Sequence, residues 1–171
     1  MHTLIAYFSR KGNNYVSGQI INLPVGNTEI AAGILRTLAG GDLFKIESVQ
    51  PYPQDYTACT VTAKEELHAD ARPELTAQVA NFDTYDVIYL GYPNWWGTMP
   101  MPVFTFLEQY NFDGKIICPF CTNEGSGMGS SARDIKKLCP GATVKGGLSI
   151  QGGSAARSGT DIAAWIKDIA G

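Results

Sequence analysis

A chain of 171 residues, 44% of them hydrophobic, fits one domain of ordinary size with enough apolar side chains to bury a core. Its 13 Lys plus Arg against 16 Asp plus Glu leave a net charge of −3, which gives no electrostatic case for a nucleic-acid or anionic-membrane partner. The first apolar run, Leu4 to Phe8, is too short for a signal-peptide core, and no later run approaches the roughly 18 residues of a membrane span, so a soluble cytoplasmic protein is expected.

In chain order, Thr3 to Phe8 reads as an apolar strand, and Thr28 to Leu38 as a helix with Ile30, Ile34, Leu35 and Leu38 at helical spacing, stopped by Gly40-Gly41. Leu43 to Val49 reads as a second strand; Pro51-Tyr52-Pro53 breaks the chain before a polar helix over about Asp55 to Asp70. Asp86 to Tyr92 is a third strand, followed by a turn rich in Pro and Trp and an apolar helix from about Pro102 to Tyr110. Lys115 to Cys121 makes a fourth strand, Ser131 to Leu138 a short helix, Ala142 to Ile150 a fifth strand, and Thr160 to Ile169 a closing amphipathic helix. Strands alternating with helices imply right-handed crossovers, a mostly parallel sheet and helices on both faces. The near-continuous apolar strands suit a sheet covered on both sides, in a single domain over 1–171.

In such a sheet, ligands sit beyond the carboxyl ends of the strands near the point where strand order reverses, which nominates three segments. After the first strand, Gly12-Asn13 and Gly26-Asn27 repeat one signal. Only the second touches a helix start, where free N–H groups and the positive dipole end meet, so Ser9, Asn27, Thr28 and the N–H groups of Glu29 and Ile30 are expected to enclose an anion. Residues 10 to 25 then form an inserted flap, which Gly18 could turn as a small hairpin. After the third strand, the segment from Gly91 to Pro102 is stiffened by prolines; adjacent Trp95 and Trp96 cannot both point inward from a strand, so at least one exposed indole is expected as a platform for a flat ligand. After the fourth strand, the glycine-rich Thr122 to Gly129 lets a ligand approach the backbone.

Cys118-Pro119-Phe120-Cys121 has redox-dithiol spacing, yet three strand steps put the two Cα atoms about 10 Å apart on opposite faces, beyond what a disulfide tolerates. Cys59 and Cys139 read as small buried hydrophobes. With only His2 and His68 in the chain, a His-rich metal site is not expected. A receiver domain would want acidic residues where Tyr7, Phe8 and Ser9 stand. No Gly-x-Ser-x-Gly elbow surrounds Ser126 or Ser154, and Gly125, Gly127 and Gly129 have the wrong spacing and place for a dinucleotide fingerprint.

AYFSRKGN at 6–13, GNTEIAA at 26–32, DVIYLGYPNWWGTMPMP at 86–102 and PFCTNEGSGMG at 119–129 together resemble the flavodoxin-like flavoprotein family, which binds flavin mononucleotide (FMN). The resemblance runs the whole length and is nearest to the bacterial branch with the YPNWWGTMPMP loop. It implies a doubly wound five-stranded parallel sheet of order 2-1-3-4-5. The family's phosphate loop runs unbroken into the helix, whereas this chain splits it between Ser9 and Asn27-Thr28, which leaves Lys11, Gly12 and Asn13 as open ligand positions. By matching motif, Ser9, Lys11, Asn27, Thr28, Glu29 and Ile30 would serve the phosphate; Pro93, Asn94, Trp95, Trp96 and Gly97 would flank the ring; and Thr122, Asn123, Glu124, Gly125, Ser126 and Gly127 would meet its pyrimidine edge.

The resemblance implies redox chemistry supplied by the flavin and tuned by the protein. The favoured reading is a low-potential electron carrier, with Trp95 or Trp96 stacked on the ring, backbone N–H groups of the 122–127 loop on its N1/O2 edge, and Glu124 lowering the potential. Its partners would be redox proteins or a small-molecule acceptor, and the chain a monomer or weak dimer. The alternative is an NAD(P)H-dependent quinone reductase, which needs room against the flavin face and for which Arg157 could meet a nucleotide phosphate.

Overall fold

The computed structural model describes residues 1–171. Its central sheet takes β1 (Thr3–Tyr7), β4 (Asp42–Lys45), β5 (Val87–Pro93) and β6 (Ile116–Asn123) in the order β4-β1-β5-β6, all parallel, with β7 (Thr143–Val144) and β8 (Leu148–Gln151) both paired to the far edge of β6. The expected order 2-1-3-4-5 is therefore observed, with its fifth strand divided. Thr143 and Val144 pair with Ile116 and Ile117, while Leu148 to Gln151 pair with Phe120 to Asn123. The interruption falls at Gly146-Gly147, opposite Pro119, which has no N–H to give to a ladder. There the Gly146 carbonyl accepts the Trp165 indole N–H at 2.8 Å instead.

The second strand is shorter than its apolar pattern suggests. Ile46 still donates its N–H to the Tyr7 carbonyl at 2.7 Å, and beyond it the chain turns from β1 to Glu74–Thr76, the Val49 N–H donating to the Glu74 carbonyl and that of Thr76 to the Glu47 carbonyl.

Period-two alternation sorts the strand residues into two cores. Leu4, Ala6, Ile88, Leu90, Ile117 and Cys121 face one side, under α3 (Met101–Gln109) and α4 (Ser131–Leu138), with Leu67 of α2 (Tyr56–His68) packed against them. Ile5, Tyr7, Tyr89, Cys118 and Phe120 face the other, under α1 (Asn27–Ala39) and α5 (Gly159–Ala170). Cys118 and Cys121 thus lie in different cores, and all four cysteines are free and buried. Gly91 is glycine because a Cβ there would come within 2.2 Å of the Phe120 ring. No helix is long and apolar enough to cross a membrane.

The segment between β1 and α1 is an antiparallel hairpin, β2 (Gly12–Val16) and β3 (Gln19–Leu23), turned by Ser17-Gly18, both at positive φ as a tight primed turn requires.

Candidate functional site

A cleft of about 500 Å³ opens at the carboxyl ends of β1, β5 and β6. One end is the start of α1. Its N-cap, Gly26, has no side chain to offer, and the Ser9 hydroxyl takes that role from the other end of the insertion by accepting the Glu29 N–H at 3.1 Å. Any Cβ on Gly26 would lie 2.2 Å from Ser9 Oγ and 2.7 Å from the Arg10 carbonyl, so only glycine lets the two halves of the loop meet. The Ile30 N–H is spent on the Gly26 carbonyl, at 3.2 Å, while those of Asn27 and Thr28 have no partner within the protein. Two free N–H groups at the positive end of a helix can take up an anion. The Glu29 side chain turns away toward the Tyr7 hydroxyl, 3.0 Å, and Lys45, 3.4 Å. Burial and that carboxylate push the Tyr7 phenol upward.

The cleft's aromatic wall comes from the loop after β5, where the two tryptophans separate. Trp95 is wedged edge-on between Phe8 and Tyr52, at centroid distances of 5.2 and 5.0 Å, as part of the core wall. Trp96 is 51% exposed and sits at φ 57°, a left-handed conformation that a bulky residue adopts only when its surroundings hold it. They do so here. Its indole N–H donates to the Thr60 carbonyl of α2 at 2.9 Å, Lys64 lies over its ring at 5.0 Å, and the Asn94 side chain accepts the next residue's N–H at 2.9 Å.

The loop after β6 is built around Asn123. Its side-chain oxygen accepts the N–H groups of Gly125 and Gly127, at 2.9 and 3.0 Å, so those two donors are already used. The Asn94 amide ties this loop to the tryptophan loop through the Gly127 carbonyl at 2.8 Å, and the Thr28 and Thr122 hydroxyls, 2.8 Å apart, tie α1 to β6. Glu124 reaches back toward the start of α1. One carboxylate oxygen is buried without a hydrogen-bond partner, and a Cβ on Gly152 would lie 2.9 Å from it and 2.6 Å from the Asn27 amide nitrogen. An acceptor left unmatched there wants donors from a ligand.

The hairpin and α2 close the remaining side. Tyr15 of β2 stacks on Tyr56 at 6.3 Å, and the tip of the hairpin rests against Gly153, where a Cβ would come within 2.7 Å of Ser17 Oγ. Tyr56, Cys59, Thr60 and Ala63 present one face of α2 to the cleft. Burial raises the Cys59 thiol and the Tyr56 phenol, with the nearby Arg10 charge opposing both shifts.

Of the residues expected at the site, Ser9, Asn27, Thr28, Pro93, Asn94, Trp95, Trp96, Thr122, Asn123, Glu124 and Ser126 line this one cleft. Lys11, Glu29, Ile30, Gly97, Gly125 and Gly127 do not. Lys11 is exposed, Gly97 turns the tryptophan loop at φ 87°, and the amides of the other four are committed within the protein. Arg10, Asn14, Tyr15, the α2 face and Gly152 line it without having been anticipated. The α2 face was legible as a stripe, since Tyr56, Cys59 and Ala63 follow one another at spacings of three and four.

A family model described as Flavodoxin matches residues 2–169. Among solved structures, a Bacteroides eggerthii chain assigned as a flavoprotein is 32% identical with a TM-score of 0.78, the match covering 99% of this chain and 98% of that one. A second, from Bacteroides uniformis, is 26% identical with a TM-score of 0.74, covering 97% of each. A flavoprotein from Lactobacillus acidophilus, solved in complex with FMN, shares the fold at 19% identity and a TM-score of 0.67, over 91% of this chain and 97% of that one. No curated protein matches the sequence.

Proposed function

We propose that this chain, which belongs to the flavodoxin family, binds FMN in the cleft and acts as a low-potential electron-transfer carrier. The residues fit the cofactor's chemistry. The unpartnered N–H groups of Asn27 and Thr28 suit its phosphate, the orphaned Glu124 oxygen suits the hydroxyl donors of its polyol chain, and Trp96 offers a plane for its ring. FMN supplies, when bound, a group that exchanges electrons singly or in pairs with redox proteins or a small-molecule acceptor.

The chain's own contribution is to hold and to shield. Ser9 fixes the start of α1, Asn123 fixes the loop after β6 from within, and the hairpin covers the side toward α2. Glu124, the only acidic side chain lining the cleft, opposes added negative charge there and favours a low potential.

The observation that favours a carrier over a nicotinamide- or quinone-dependent reductase is Trp96. Its indole is held by the Thr60 carbonyl and lies under Lys64, and an indole stacked there on the ring would cover a face that a second planar substrate needs. The test is stepwise anaerobic dithionite reduction of the FMN-loaded protein, followed by visible absorption, repeated with NADH and NADPH. Two resolved one-electron steps with no response to either nicotinamide are expected of a carrier. Rapid two-electron bleaching by a nicotinamide would establish a reductase, and failure to take up FMN would exclude both.

A further inference from the structure

We propose that two copies of this chain pair through the outer edge of β3, joining their hairpins into one four-stranded antiparallel sheet. The pairing goes beyond the flavin reading and does not depend on what the cleft binds. β3 pairs with β2 alone, and Gln19, Ile20, Ile21 and Asn22 are all exposed. In a hairpin closed by two residues, here Ser17-Gly18, the pair beside the turn exchanges backbone bonds, and so does every second pair after it. Val16–Gln19, Asn14–Ile21 and Gly12–Leu23 are therefore bonded, while the N–H and C=O groups of Asn13, Tyr15, Ile20 and Asn22 point out of the ladder. The two edges then differ. On the β2 side, the Asn13 carbonyl accepts from the Arg10 guanidinium and Tyr15 stacks on Tyr56 of α2. On the β3 side, no backbone group from beyond the ladder bonds Ile20 or Asn22.

A row of free backbone donors and acceptors is a template for another strand, and edges that stay single are guarded by charges, prolines or bulges. β3 has none of these guards. From Gly12 to Thr28 the chain carries no charged residue, although 17% of the whole is charged, and β3 runs without a bulge as far as Pro24. A strongly acidic or basic partner finds nothing complementary on such an edge. A second copy, with the same net charge of −3, meets it there without like charges face to face. The strand also complements itself. With a two-fold axis through Ile21, Ile20 of each copy faces Asn22 of the other, and every outward group of the two residues is used, in four N–H···O=C bonds. Ile21 then lies against its own counterpart across the axis as a close, non-bonded pair, and the exposed side chains of Ile20 and Ile21 lose contact with water.

Sedimentation velocity of the unmodified protein, from about 1 µM to about 1 mM, is expected to show a monomer passing into a dimer. Ile21→Lys sets two ammonium groups against each other at the axis, and Asn22→Pro removes an outward N–H without touching the β2–β3 bonds. Each is expected to weaken association by about tenfold or more. Cysteine substitution reads the register, because all four native cysteines are buried. Ile21→Cys brings its Cα to about 4.5 Å from its counterpart, within disulfide reach, whereas Gln19→Cys, on the same face, leaves the two about 13 Å apart. Air oxidation is expected to link the Ile21→Cys protein into a disulfide dimer and to leave the Gln19→Cys protein unlinked. A protein that stays monomeric across the concentration range would overturn the proposal. So would a dimer that Ile21→Lys and Asn22→Pro leave undiminished, or equal cross-linking of the two cysteine variants. The concentration series does not rest on any variant folding, and FMN titration of the same sample keeps a failure of the flavin reading separate from a failure of this one.

Discussion

The Ser9 hydroxyl accepts the Glu29 amide hydrogen at 3.1 Å across twenty residues of sequence, and this one bond closes an anion-binding loop that a hairpin has split in two. A helix cap is ordinarily local, supplied by the residue that starts the helix. Here Gly26 gives up that role so that Ser9 can approach, and the geometry of the site depends on both residues together. Ser9→Ala is expected to cost about 1 kcal/mol, a fall in melting temperature of roughly 2–4 °C for a domain this size. Gly26→Ala should be worse, since its methyl would sit 2.2 Å from Ser9 Oγ and force the halves apart. Thermal melts and FMN titration of both variants check this. A Gly26→Ala protein as stable and as tight-binding as the parent would show that the close approach is not needed.

Much of this frame was legible from residue order alone, because parallel strands buried on both faces must be apolar throughout and the Gly-Asn signal at 26–27 abuts an apolar-periodic helix. What escaped has physical causes. The fifth strand looks continuous from Ala142 to Ile150, yet its partner carries Pro119, and the loss of a ladder donor is invisible from the strand's own residues. The N–H groups of Glu29, Ile30, Gly125 and Gly127 were expected to meet a ligand. They are spent on Ser9, Gly26 and Asn123 because the protein satisfies its own turns first. Arg10 rather than Lys11 enters the cleft because β2 begins at Gly12, at φ 86°, and the bend there leaves Lys11 outside.

Glu124 carries the cleft's only negative side chain and an oxygen without a donor. Removing its charge should make reduction of a bound flavin easier, so Glu124→Gln is expected to raise the midpoint potential of the second electron more than that of the first. Spectroscopic redox titration of the FMN-loaded proteins measures both. An unchanged pair of potentials would mean that the carboxylate, lying beside Asn27 at the start of α1, is too far from the ring to tune it.

Glu66 gives a pH dependence that lies outside the cleft. The Tyr52 hydroxyl donates to its carboxylate at 2.5 Å, but burial is the larger effect and lifts Glu66 above its ordinary value of 4.5. A carboxyl raised in the folded state favours folding while protonated, and that contribution is lost as pH climbs from about 4.5 through the folded value. Glu66→Gln keeps an acceptor for Tyr52 without the titration. Its melting temperature should therefore gain on that of the parent as pH rises from about 4 to 7. A difference that stays constant over that range, or moves the other way, would contradict the assignment.

The hairpin can be cut at its roots because Gly12 and Leu23 face each other as the last pair of the β2–β3 ladder, and the bonds of the Asn14 amide to the Arg10 and Gly12 carbonyls, 2.9 and 3.2 Å, go with it. A two-residue Asn-Gly turn in place of residues 13–22 satisfies the same antiparallel ends and leaves Ser9, Gly26 and α1 in register. The shortened chain loses Asn14 and Tyr15 from the cleft wall, the Tyr15–Tyr56 stack, and the Asn13 carbonyl that Arg10 holds. Its core is untouched apart from Val16, so it should fold, with Ile20 and Ile21, 51% and 38% exposed, also removed from the surface. Flavin affinity is expected to fall, and solvent to reach the bound flavin more readily, which iodide quenching of its fluorescence would register. Undiminished affinity with unchanged quenching would take the hairpin out of cofactor binding and assign it to contact with a redox partner.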